Sequence, residues 1–597
     1  VKNLKILLTT LNSKFIHTNL AIRYLKEFVK DIADIEIREY TINNDLDYIL
    51  KDLYRHNYDV ILFSTYIWNI EDIVRLCDNL KKVSKDTKIA LGGPEVSYDS
   101  VNAMEKYDFV DYILYGEGEK IFRDLVRHLK GELNIDEVKG IVYREKDPNQ
   151  INGKNSGKIV MNDPMELIEN LDIIPSPYKN INREEYENKI VYYESSRGCP
   201  FNCQYCLSST LNGLRYFSTD RINEDLKALI EARVSQIKFI DRTFNANRKT
   251  AMEIMKFLME NDNGYTTYHF EVTAYLIDDE MLEFLKDCKE GLFQFEIGVQ
   301  STNDKTLEEV GRRDDFERLS QVVKTVESYR NIHQHLDLIA GLPYEDYNSF
   351  ENSFNDVFNL DIEQLQLGFL KMIKGTGIRE TADKHGFKYK DYPPYEVLYN
   401  DYMSYSDILK LKDIEDVLER YYNSKNFLLS MKFIINKFYS ESPFKFFEAF
   451  ATYFDKNGYF DLAQGKNQLY KILLDFYYEE IGIEKELFRD ILKYDYVSLG
   501  KSSNIPNFFA REELDDFKNR CHMFLKEEEN LKKYLPEYEN TPAKNIIKYV
   551  HFEVFDYNVI DLKENIDSKA IKDRNVVLFE YGNKKIFDKS KAYSIQI

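Results

Sequence analysis

The sequence predicts an α/β chain in which a doubly wound parallel sheet and a partial parallel barrel are followed by a mainly helical region. Three observations predict it. Strand-like and helix-like runs alternate over the first ~130 residues, and a second series of six such units runs from about 190 to about 375. Beyond about Tyr392 the alternation gives way to helical patterning rich in Tyr, Phe and Lys.

In the first series the expected strands are 4–9, 35–40, 58–64, 88–91 and 112–115, with helices at about 20–30 and 74–82 and a last helix after 115. This is a Rossmann-like pattern, assigned to residues 1–135. Residues 136–188 read as a linker, with turn-forming runs at 146–157 and 174–178 around a hairpin of 141–144 and 158–161. The second series has strands at 191–194, 236–241, 268–273, 293–299, 335–340 and 365–370, a (β/α)6 pattern assigned to residues 189–385. Residues 386–597 form a mainly helical domain with a small strand element at 576–586.

At 597 residues the chain is too long for one core. It has no run of about 18 apolar residues and no signal-peptide pattern at its first residues, so a cytoplasmic protein without a membrane span is expected. The formal net charge of -21, from 102 acidic and 81 basic residues, opposes a long phosphate backbone and disfavours a nucleic-acid substrate. The six cysteines are Cys77, Cys199, Cys203, Cys206, Cys288 and Cys521, too sparse for a disulfide framework in a reducing compartment. Cys521 and His522 are adjacent on a helical stretch and point in different directions, which argues against a metal pair.

Three of the six cysteines fall in E194-S-S-R-G-C199-P-F-N-C203-Q-Y-C206, directly after a strand. Thiolates suit an iron–sulfur cluster, and three of them leave one iron of a cubane open to another ligand. A zinc site normally takes four ligands, and no fourth Cys or His lies close by in sequence.

This motif resembles the signature of the radical S-adenosylmethionine (SAM) superfamily. The resemblance implies a [4Fe–4S] cluster held by Cys199, Cys203 and Cys206, SAM bound at the open iron, and a 5′-deoxyadenosyl radical formed from it. It places Tyr205 against adenine. Later strands resemble the branch containing oxygen-independent coproporphyrinogen oxidase: Y268-H-F-E271, G298-V-Q300-S with Arg312 twelve residues beyond Gln300, and H335-L-D337-L-I-A-G341-L-P. A zwitterionic ligand needs each desolvated charge paired, so Glu271 and Arg312 are assigned to the methionyl ammonium and carboxylate, with Gln300 a supporting contact. Arg313 is an alternative to Arg312, and the strand end F239-I-D241-R-T-F-N245 replaces the glycine-rich stretch of simpler members.

A doubly wound domain ahead of such a core resembles the cobalamin-binding class of the superfamily. On that resemblance Asn12 and His17 in the first loop, Ser64 after the third strand, Gly92 and Gly93 after the fourth, and Glu117 in G116-E-G-E119 are candidate cobalamin contacts. The loop lacks the Asp and Gly of the D-x-H-x-x-G pattern, which leaves the lower cobalt ligand open. The C-terminal third resembles an uncharacterised domain accompanying some members of the class.

Taken together these features imply a cobalamin-dependent radical SAM enzyme, with methylation of an unactivated carbon of a small or medium-sized metabolite as its expected reaction. Cyclisation, ring contraction or a redox conversion with the same cofactors is the alternative, and a non-catalytic corrinoid- or SAM-binding sensor is another. A flavodoxin or ferredoxin-type reductant is the implied partner. A sulfur-inserting RNA modifier would need more cysteines in the first module, where Cys77 stands alone.

Overall fold

The computed structural model describes residues 4–145, 157–179, 181–210, 213–501, 505–509, 514–566, 568, 570–582 and 590–597. Most of the turn run at 146–157 and positions 583–586 of the last expected strand lie outside the described residues. The chain divides into two compact units, one of Val1–Phe350 with Gly368–Tyr405 and one of Glu351–Leu367 with Ser406–Ile597.

The first unit opens with β1 (Ile6–Asn12), α1 (Leu20–Val29), β2 (Ile35–Thr41), α2 (Leu46–His56), β3 (Val60–Ser64), α3 (Ile70–Val83), β4 (Lys88–Gly92), α4 (Pro94–Ser97), α5 (Ser100–Lys106), β5 (Tyr112–Leu114) and α6 (Gly118–Leu129). Every residue of β1 and β3 is buried, as a parallel sheet covered on both faces requires. Alternate residues serve the two faces. Leu7, Leu11, Ile61 and Phe63 pack with Ile49, Ile73 and Met104 of α2, α3 and α5, while Ile6, Leu8, Val60 and Leu62 pack with Ile22 of α1 and Phe122 of α6. Asn19 and Asp45 cap α1 and α2 by accepting from Ile22 N and Tyr48 N. The helix α2 is an element the sequence reading did not include.

The hairpin expected inside a linker, β6 (Ile141–Arg144) and β7 (Ile159–Met161), instead continues this sheet, whose order is β2-β1-β3-β4-β5-β6-β7. β6 runs antiparallel to β5, pairing Ile113 with Val142, so the last helix-bearing strand is not an open edge. β1 lies between β2 and β3, which makes the crevice between the loops after β1 and β3 the topological switch point.

The core that follows has β8 (Ile190–Tyr193), a small pair β9 (Ser196–Gly198) and β10 (Leu214–Tyr216), then β11 (Gln236–Phe239), β12 (Thr267–Val272), β13 (Phe293–Gln300), β14 (His333–Ala340) and β15 (Gln364–Phe369). The six-stranded order β15-β14-β13-β12-β11-β8 is a partial barrel. Along β13, Phe293, Phe295, Ile297 and Val299 are buried under helices, and Gln294, Glu296, Gly298 and Gln300 alternate with them on the other face. Glu296 stands beside His335 and Gly298 beside Asp337, so a polar inner face is built in register.

The second unit is mainly helical, with Leu428–Phe438, Pro443–Lys456, Lys466–Phe476 and Lys485–Ser498 around buried aromatics such as Phe446, Phe450 and Phe476. Its strand element is larger than expected: Val550–Phe555, Asn575–Glu580 and Lys591–Ile595 form a three-stranded antiparallel sheet. Cys521 is buried in the apolar cluster beside that sheet. Among the described residues no helix is long and apolar enough to cross a membrane.

Candidate functional site

The carboxyl ends of the barrel strands surround one cavity, lined by Cys199, Cys203, Cys206, Tyr205, Glu271, Gln300 and Arg312 together with Arg242, Glu296 and Asp337. All seven side chains read from the sequence as cluster or SAM contacts are therefore brought to one place. The strand-to-loop geometry explains how. Asp241, at the end of β11, accepts from the Ser195 amide (3.0 Å) and from the Ser195 and Ser196 hydroxyls (2.6 and 2.5 Å), fixing the chain just before the cysteines. Asn245 clamps the end of β12, exchanging two 2.9 Å hydrogen bonds with the Thr273 backbone. Both residues thus support the cavity from behind. Among the described residues no three Cys, His, Asp or Glu side chains converge as a single-ion site would require.

Arg312 is buried. It donates to the Gly298 carbonyl, to the Tyr205 hydroxyl at 3.3 Å and to Asp314 at 3.3 Å. Gln300 sits at a bulge in β13 with φ +74°, a strained conformation for a non-glycine residue, and it turns its side chain into the cavity. Its Oε1 is buried without a hydrogen-bond partner, and so is Oδ1 of Asp337. Two unpartnered polar atoms in one cavity call for polar partners from a ligand, which the hydroxyl, ammonium and carboxylate groups of SAM carry. The donor set and the two orphans fit the cluster and SAM.

The inner face of the barrel splits its carboxylates into unlike pairs. Glu296 accepts from His269 (2.7 Å) and Lys238 (2.8 Å), and these hydrogen bonds hold it down to about 2. Asp337, buried next to Glu296 and Glu271, is pushed up to about 8, so it is a neutral donor at pH 7. Burial also raises Glu271 and pushes His335 down to about 3. Arg242, Glu296 and Asp337 line the cavity without having been assigned from the sequence.

The other candidates lie on the carboxyl edge of the first sheet. Ser64 and Gly92 end β3 and β4 side by side, and Asn12 ends β1. Gly93 has φ +104°, and a Cβ there would lie 2.5 Å from the Thr65 carbonyl; a Cβ on Gly92 meets nothing nearer than 3.8 Å. Only the second glycine is demanded by the backbone. Asn12 donates to the His17 carbonyl at 3.0 Å and to Glu39 at 3.2 Å. The His17 ring is engaged through Nδ1 by the Tyr192 hydroxyl at 2.7 Å, and burial lowers its pKa. Between these loops Tyr66 and Trp68 stack at 4.4 Å, with Trp68 45% exposed and its indole donating to the Leu11 carbonyl. This aromatic pair at the switch point was not read from the sequence, because a lone Tyr-x-Trp carries no periodic signal.

Glu117 takes other partners. Arg215 grips both of its oxygens (2.6 and 3.1 Å), and the Ile168 amide adds a third hydrogen bond. Its neighbour Glu119 pairs with Arg197 at 2.5 Å, and Arg197 also binds Glu194 at 3.1 Å. The G116-E-G-E119 stretch is thus an ionic bolt between the first module and the cysteine loop, and the Glu117 carboxylate is spent there.

Known families match these pieces. Residues 6–126 match the B12 binding domain, 193–357 the Radical SAM superfamily, and 383–579 a protein of unknown function, DUF4080. The chain thus carries a B12 binding domain and a Radical SAM domain, which bring a [4Fe–4S] cluster, SAM and cobalamin as cofactors. It also carries the DUF4080 domain over residues 383–579. An uncharacterized methyltransferase of Pyrococcus horikoshii, PH0819, is 26% identical over 373 residues, 61% of this chain and 78% of that one. The cobalamin-dependent radical SAM methyltransferase TokK of Streptomyces tokunonensis is 25% identical over 52% of this chain, which spans 47% of TokK, about half its length. The solved structure of the cobalamin-dependent SAM radical enzyme OxsB, with aqua-cobalamin and SAM bound, shares the fold with a TM-score of 0.57 at 16% identity, over 90% of this chain and 84% of OxsB.

Proposed function

We propose that this chain is a cobalamin-dependent radical SAM methyltransferase that methylates an unactivated carbon of a small or medium-sized metabolite. When bound, the cluster and SAM supply a hydrogen-abstracting radical and the corrinoid supplies the methyl group. The protein's part is to bind, orient and exclude water. Arg312 meets the methionyl carboxylate and Glu271 the ammonium, with Tyr205 in the same cavity. Gln300 and the neutral Asp337 offer polar contacts beside them. On the first sheet the flat apolar pair Tyr66–Trp68 offers a corrinoid its surface at the switch point, beside Asn12, Ser64, Gly92 and Gly93. His17, tied to Tyr192, acts in loop positioning.

The observation that carries this reading is the ionic bolt: Arg197, two residues before the first cysteine, is paired with Glu119 of the corrinoid-type module, so the two cofactor regions are built as one device. An electron enters from a flavodoxin or ferredoxin-type reductant. The test is anaerobic incubation of reconstituted protein with host small-molecule extract and SAM labelled in its methyl group. A labelled metabolite appearing only with cobalamin present is the expected result. Cobalamin-dependent products without label would replace methylation by cyclisation or a redox conversion, and persistent absence of 5′-deoxyadenosine would point to a sensor.

A further inference from the structure

The segment after the sixth barrel strand, residues 371–379, touches both cofactor regions at once. On one side Lys374 Nζ lies 3.2 Å from the Glu95 carboxylate, and the Tyr395 hydroxyl donates to the same oxygen. Glu95 is 3% exposed and stands two residues after Gly93. On the other side the Ile378 amide donates to the Gln204 carbonyl at 2.9 Å, and Gln204 lies between Cys203 and Tyr205. Two glycines make the fit this close. A Cβ on Gly375 would sit 2.4 Å from the Tyr98 ring, and one on Gly377 would sit 1.9 Å from Gln204 Oε1. Tyr98 in turn bonds Thr210 beyond the cysteines at 2.7 Å.

The segment is also tied to itself and to its own module. Arg379 donates to the Met372 carbonyl (2.6 Å) and lies over the rings of Tyr389 and Tyr395. The Met372 amide donates to the Tyr395 carbonyl at 2.9 Å. A short piece held at both ends and braced in the middle transmits position rather than absorbing it.

We propose that residues 371–379 are a strut that sets the separation of the corrinoid and the iron–sulfur cluster, with Glu95 and Lys374 as its positioning residues. The proposal rests on the cofactor assignment above and adds to it the element that fixes their spacing. Neither residue touches the reacting atoms; both act through the Gly93 loop and the cysteine loop. Methyl transfer between two cofactors is sensitive to that spacing, because a misplacement of about 1 Å can cost roughly 10²-fold in rate.

The test needs no substrate. Full-length protein loaded anaerobically with the cluster and cob(II)alamin is reduced, and the relaxation enhancement of the cobalt EPR signal by the cluster is measured. This quantity falls steeply with distance. Glu95→Ala and Lys374→Met should both lose the parent's enhancement value while iron, sulfide and cobalt contents stay at the parent's level. Lys106→Ala, a cation lining the same crevice as Lys374 without contacting Glu95, should keep it. If Glu95→Ala fails to fold, Lys374→Met and Tyr395→Phe carry the test. An unchanged enhancement in fully loaded Lys374→Met overturns the strut, and so does loss of cobalamin alone from Glu95→Ala, which would make Glu95 a corrinoid contact. Parent protein that takes up no cobalamin would instead fail the cofactor assignment.

Discussion

Arg197 of the cysteine loop and Glu119 of the first module form a buried ion pair at 2.5 Å, with side chains 12% and 6% exposed. The pair lies 78 residues apart in sequence and joins the end of one cofactor region to the start of the other. Arg197→Met would leave Glu119 and Glu194 as buried carboxylates without their cation. Removing one partner of such a pair costs about 3–5 kcal/mol. Urea denaturation should show a loss of that size, and an unchanged midpoint would mean the pair is not a bolt.

Glu271→Gln and Arg312→Ala should keep the cluster and weaken SAM binding by about 1.5–3 kcal/mol each, the worth of a charged hydrogen bond. Calorimetric titration of SAM into the reconstituted variants measures it. Equal affinity in both variants and the parent would remove these residues from the methionyl site.

Asp337 makes stability depend on pH. Its folded pKa, pushed up to about 8, lies above the unfolded value near 3.9, so the native chain holds a proton that the unfolded chain has released between those values. Its contribution to stability therefore falls as pH rises through that window and is flat above it. Asp337→Asn should become more stable relative to the parent from about pH 5 to about pH 8 in paired urea melts. Parallel pH profiles would show that Asp337 is ionised in the native protein.

The two glycines after β4 should separate. Gly93→Val places a Cβ against the Thr65 carbonyl at φ +104° and should abolish corrinoid uptake while the cluster survives; Gly92→Ala has room and should bind corrinoid as the parent does. His17→Ala should leave the cob(II)alamin EPR spectrum unchanged, because the ring is held by Tyr192. A shifted cobalt spectrum in His17→Ala would make the histidine a ligand.

What the sequence made legible follows from how local each signal is. The three cysteines and the strand runs are local patterns, and the chain places them as read. Glu271, Gln300 and Arg312 could be found through the resemblance, because Glu271 and Gln300 lie at the carboxyl ends of β12 and β13 and Arg312 follows Gln300 by twelve residues. Asp337 was quoted only as part of a resemblance, since its neutrality depends on β14 lying beside β13 and bringing Glu296 and Glu271 near. Glu117 looked available for a ligand because Arg215, 98 residues later, cannot be seen from the G-E-G-E stretch. The hairpin of β6 and β7 read as a linker because an antiparallel addition to a parallel sheet has no signature of its own. The strut at residues 371–379 is likewise a property of packing.

We propose that one chain holds a cluster on Cys199, Cys203 and Cys206 and a corrinoid on its first module. Metal and sulfide analysis of anaerobically reconstituted parent and of the triple Cys199→Ala, Cys203→Ala, Cys206→Ala variant tests it most directly. Iron, sulfide and cobalt are expected in the parent, and cobalt without iron or sulfide in the variant. A variant that keeps its iron and sulfide, or a parent that takes up no cobalt, would contradict it.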